Sequence, residues 1–111
     1  MLAAMSGCLF ILAALLVAVR ATTFTVSWGF DTSNASIQAT LGDTVTWTWN
    51  QTAAPHTLIS GAPGSPNTLF GLSTPISSGN YSFVFNQTGL YPYFCNIHTS
   101  MTAAIFIVDG M

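Results

Sequence analysis

The chain is 111 residues long, half of them apolar and only 4% charged, with a formal net charge of −2. That length makes one domain. A single basic residue, Arg20, stands against three aspartates, so nothing could neutralise a phosphate backbone, and binding to nucleic acid or through a basic patch to anionic lipid is excluded.

The chain opens with an unbroken apolar run, Leu9 to Val19, followed by Arg20 and Ala21. This reads as a secretory signal cleaved after Ala21, so residues 1–21 are the signal and 22–111 the domain. The alternative is an uncleaved membrane anchor, because Leu2 to Val19 is about long enough to span a bilayer, although Ser6, Gly7 and Cys8 interrupt it. Only on that reading would a membrane be a partner.

After the signal, Phe24, Val26, Trp28 and Phe30 alternate with Thr23, Thr25 and Ser27, the period of a half-buried strand. Asp31 to Asn34 is a turn, Ile37 lies in a short strand, and Leu41-Gly42-Asp43 is another turn. Thr44 to Trp49 alternates again. Asn50 to Ala54 reads as loop, His56 to Ile59 as a short strand and Gly61 to Pro66 as loop. Leu69 to Ile76 carries no clear period. Ser78-Gly79-Asn80 reads as a turn into a strand at Tyr81 to Phe85, and Asn86 to Gly89 as a turn into Leu90 to Phe94. Thr102 to Val108 is the last strand. Seven to eight short strands with closely spaced turns and no helical stripe outside the signal indicate an all-β, antiparallel Greek-key β-sandwich.

Between the last two strands lies YPYFCNIHTSM, residues 91–101, which places Cys95, His98 and Met101 three positions apart. The only other histidine is His56, in APHTLI. Each alone is more often packing than ligation: Cys95 as a small hydrophobe, the histidines as polar loop residues. Together they form a donor set of one thiolate, two imidazoles and a thioether. Soft sulfur beside imidazole selects copper, and two histidines, a cysteine and a weak axial methionine make a blue-copper electron-transfer site. A metal-bound thiolate also accounts for the odd cysteine of a secreted domain, which would otherwise be an oxidation hazard.

These residues resemble the type 1 copper cupredoxins, the small plastocyanin- and amicyanin-like proteins. The resemblance runs over Thr22 to Asp109 and rests on GDTVTW (Gly42 to Trp47), PHT (Pro55 to Thr57), TGLYPYFC (Thr88 to Cys95) and H-x2-M (His98 to Met101). The short Cys-x2-His-x2-Met loop is that of the amicyanin-like branch. The resemblance implies one copper ion, with His56, Cys95 and His98 as strong ligands and Met101 as the weak axial one. It also implies that the backbone N–H of Thr57 donates to the cysteine sulfur. Thr99 and Ser100 stand where the family's short loop often has proline, and Ala103 where it usually has glycine.

The expected function is carriage of single electrons by a monomer, between redox partners that dock at the copper end. The neighbourhood of His98 (Pro92, Ile97, Met101) and of His56 (Ala53, Ala54, Pro55) is apolar, which suits such a docking surface. Copper delivery without redox traffic, or a structural sandwich that has kept the fold, are the alternatives. An enzyme is not expected: all four ligand positions are protein, and the chain has no glutamate and no lysine. Four N-x-S/T sequons, at Asn34, Asn50, Asn80 and Asn86, point to N-glycosylation in a eukaryotic secretory pathway.

Overall fold

The computed structural model describes residues 20–51 and 54–110. The expected signal lies outside the described residues apart from Arg20 and Ala21, both exposed. Among the described residues, no helix is long and apolar enough to cross a membrane.

Eight strands build two sheets: β1 (Thr23–Ser27), β2 (Ile37–Thr40), β3 (Thr44–Asn50), β4 (His56–Ala62), β5 (Ser65–Ile76), β6 (Ser78–Val84), β7 (Gly89–Phe94) and β8 (Thr102–Val108). One sheet has the order β1-β3-β6 and the other β2-β8-β7-β4-β5. This is the expected two-sheet, all-β architecture. Two of its pairings, β1 with β3 and β2 with β8, are parallel. The first follows from the chain's path: it leaves the smaller sheet after β1, makes β2 in the larger one, and re-enters beside β1 in the same direction.

The alternation in β3 is carried through to burial, with Val45, Trp47 and Trp49 inside and the intervening threonines on the solvent side. Tyr93 from the opposite sheet meets the Trp47 ring edge-on at 5.4 Å and the Trp28 ring at 5.0 Å, and Phe70 stacks on Trp47 at 5.5 Å. The Tyr93 hydroxyl donates to the Ala35 carbonyl. Burial of these aromatic rings against one another is the main cohesive force between the sheets. At the far end from the ligand loop, the buried Asp43 carboxylate accepts from Thr22 N at 2.8 Å, Thr40 N at 2.9 Å and Thr40 Oγ1 at 3.0 Å. The Thr40 amide, against the cost of burial, holds that carboxyl below its usual pKa.

Three expectations are corrected. Phe30 does not continue the inner face of β1: the strand ends at Ser27 and Phe30 is 55% exposed. Gly61 to Pro66 is not a loop but the ends of β4 and β5 around a two-residue Pro63-Gly64 turn, and the unassigned Leu69–Ile76 belongs to β5. Ser78 to Asn80 is strand instead of turn, paired with Asn50 to Thr48 of β3. Gly79 is there because Trp49 needs its space: a Cβ would lie 2.2 Å from the indole ring, whose Nε1 donates to Ile76 O at 2.8 Å. Gly79→Ala should therefore destabilise the domain by about 1–3 kcal/mol through overpacking, read as a lower denaturant midpoint at unchanged slope.

Candidate metal centre

Cys95 follows the last residue of β7, and Met101 precedes the first of β8. Two backbone bonds draw the intervening loop closed: Cys95 N donates to Met101 O at 3.1 Å, and Met101 N to His98 O at 2.9 Å. His56 opens β4, the strand beside β7 in the same sheet. The topology thus brings His56, Cys95 and His98 together, with their donor atoms within 4.8 Å of one another. His56, Cys95 and Met101 are fully buried, and His98 is half-exposed. Burial of Met101 removes it from the apolar surface expected around His98.

The separations are informative. The two Nδ1 atoms lie 3.2 Å apart, and Cys95 Sγ is 4.0 Å from His56 Nδ1 and 3.9 Å from His98 Nδ1. Ordinary metal–imidazole and metal–thiolate bonds are about 2.0–2.1 Å and 2.3 Å. A point at those distances from all three atoms lies almost in the plane they define. The donors are arranged as a trigonal set, the geometry that a His₂Cys copper site takes, and they fit one copper ion.

The surroundings suit that role. Thr57 N donates to Cys95 Sγ at 3.4 Å, as the resemblance implied. Burial alone would push the Cys95 thiol up, but backbone N–H groups of Thr57, His98 and Ile97 hold it below its ordinary value. His56 is also held below its ordinary value, by burial first and by the neighbouring His98 second, which disfavours the protonated ring that could not bind a metal. The Thr57 hydroxyl donates to Asn96 Oδ1 at 2.8 Å and accepts from Asn96 N at 3.0 Å, pinning the start of the loop to β4. Trp28 Nε1 donates to Thr57 O at 2.9 Å, so the residue directly after β1 holds Thr57 as well.

Two site residues are not signalled by motif spacing. Gln51 Oε1 lies 2.5 Å from His56 Nε2. Phe30 lays its ring edge-on to both imidazoles, 5.1 Å from His56 and 4.8 Å from His98. The only hint of Phe30 was its alternation with Trp28, which pointed inward.

The fold has relatives among solved structures. A purple cupredoxin from Nitrosopumilus maritimus superposes with a TM-score of 0.59 at 25% identity, over 78% of this chain and 99% of that one. The chain has the cupredoxin fold. A Cu(I) form of a methionine-to-alanine variant of amicyanin matches at TM-score 0.58 and 22% identity, over 83% of this chain and 88% of the other. A second amicyanin variant, also in the Cu(I) form, gives 0.57 and 23% over the same shares. No family model matches the chain, and no curated protein matches it. At these identities the similarity to amicyanin is one of fold, and the chemistry of this chain rests on its own donors.

Proposed function

We propose that this chain is a type 1 copper protein that carries single electrons between redox partners, with His56, Cys95 and His98 as strong ligands and Met101 as the weak axial one. The observation that carries the reading is the convergence of two imidazole nitrogens and one buried sulfur on a point in their own plane. Bound there, copper would supply exchange of one electron between Cu(I) and Cu(II). The chain's part is to hold the donors still. Cys95 and Met101 are fixed by backbone bonds, and His56 by β4, so the frame opposes rearrangement between oxidation states. With four positions filled by protein no place is left for a substrate, which favours a carrier over an enzyme.

Partners would meet the chain at the half-exposed His98. Ile97, 43% exposed, and Phe30 flank it, with Ala54 and Pro55 half-buried nearby in sequence to His56. This apolar end suits docking. A secretory route with cleavage after Ala21 would place the new α-ammonium of Thr22 on Asp43 Oδ1, turning an amide bond of 2.8 Å into a charge-assisted one. Asn34, Asn50, Asn80 and Asn86 are all exposed, which is compatible with N-glycosylation there.

Three outcomes are expected. Residues 22–111 reconstituted with Cu(II) should be intensely blue, green or purple with narrow copper hyperfine splitting in EPR. Cys95→Ser should abolish the colour, and Met101→Leu should keep the copper and raise the potential; a colourless wild type overturns the reading. N-terminal sequencing of the secreted protein should begin at Thr22, and an intact Met1 on a membrane-bound form would favour the anchor. Reduction by the native partner should vary little with salt, because few charges steer it, and Ala54→Glu should slow it. A steep salt slope with no effect at Ala54 would rule out docking through this end.

A further inference from the structure

We propose that Gln51 is the positioning residue that sets the tautomer of His56, and that Gly29 is the position that gives it room; the assignment rests on His56 being a ligand through Nδ1, as proposed above. An imidazole that binds a metal through one nitrogen needs a partner for the N–H on the other, and that partner fixes both proton and ring orientation. His56 is fully buried, so water cannot supply it. Gln51 Oε1, 2.5 Å from Nε2, accepts that proton. The Nδ1 lone pair is then left facing Cys95 Sγ at 4.0 Å and His98 Nδ1 at 3.2 Å.

Gln51 is itself anchored. Its backbone N donates to Ser77 O at 2.8 Å, so its main chain is held by the segment between β5 and β6. On the other side lies the turn after β1. A Cβ on Gly29 would lie 3.1 Å from Gln51 Oε1, tighter than ordinary contact, so the absence of a side chain there leaves the amide its place. The next residue, Phe30, packs its ring at a steep angle against both imidazoles. The residues after β1 therefore serve the site although none of them is a donor to the metal.

A glutamine has one acceptor oxygen and one NH₂ group, and only the oxygen toward His56 gives the Nε2–H tautomer. A role in filling space would be met equally by methionine, which has similar length and no strong acceptor; a role in holding the proton would be met by glutamate. These variants separate the two. Nitrogen-15 correlation spectra of the metal-free 22–111 domain report the His56 tautomer directly. Wild type and Gln51→Glu should show Nε2–H, whereas Gln51→Met should show a mixture with Nδ1–H. Cu(I) affinity, measured by competition with a chromogenic chelator, should fall about 10–100-fold in Gln51→Met and stay near wild type in Gln51→Glu, the size usual for loss of such a partner. Gly29→Ala, which crowds the oxygen without removing it, should shift both readouts in the same direction as Gln51→Met. An Nδ1–H His56 in the wild type would mean that Gln51 presents its NH₂, and would overturn the proposal. So would Gln51→Met matching wild type in tautomer. Because the tautomer is read without metal, it judges Gln51 even where copper fails to bind, so failure here and failure of the copper reading are distinct results.

Discussion

Thr57 is the residue through which the two sheets and the donor loop hold one another. Its carbonyl takes the indole N–H of Trp28, directly after β1, its amide points at the Cys95 sulfur, and its hydroxyl joins the Oδ1 and the backbone N of Asn96. All of this happens one position after His56. A displacement of the sheets against each other would therefore be felt at the sulfur before it was felt at the surface. The aromatic packing of Trp28, Trp47, Phe70 and Tyr93 opposes such a displacement.

The donor cluster is also a problem of desolvation. A thiol and an imidazole are fully buried in a chain with almost no charge to set against them. Burial disfavours the charged form of each, which suits histidine as a ligand and works against cysteine. The chain answers with amide hydrogens aimed at the sulfur instead of a basic side chain, which stabilises thiolate without adding a competing cation. Rigid dipoles in a dry site are stronger than in water and need no reorganisation.

Much of this was legible before any coordinates. Period-two alternation marks β1 and β3 because each has one face in the core and one in solvent. The donor set was legible because two histidines and one domain cysteine left few arrangements. What escaped was decided by neighbours distant in sequence. Ser78 to Asn80 look like a turn, yet the ladder with β3 and the bulk of Trp49 make them strand. Phe30 keeps the alternation of β1 by residue type, but the strand has already ended and its ring is drawn over the histidines. Gln51 sits in a sequon and reads as a surface amide; only the path of the backbone turns it toward Nε2. Parallel pairings leave no trace in alternation, since a strand's period is the same whichever way its neighbour runs.

The strand order of the larger sheet has a kinetic consequence. Among the described residues, β2 is an edge strand whose only neighbour is β8, the last of the eight strands in sequence order. Residues 37–40 therefore wait for residues 102–108 before they can join a ladder, a separation that makes closure slow relative to hairpin formation. The same β8 carries the loop that ends at Met101. The strand that gives β2 its partner therefore also fixes the far end of the donor loop, where Met101 O accepts from Cys95 N.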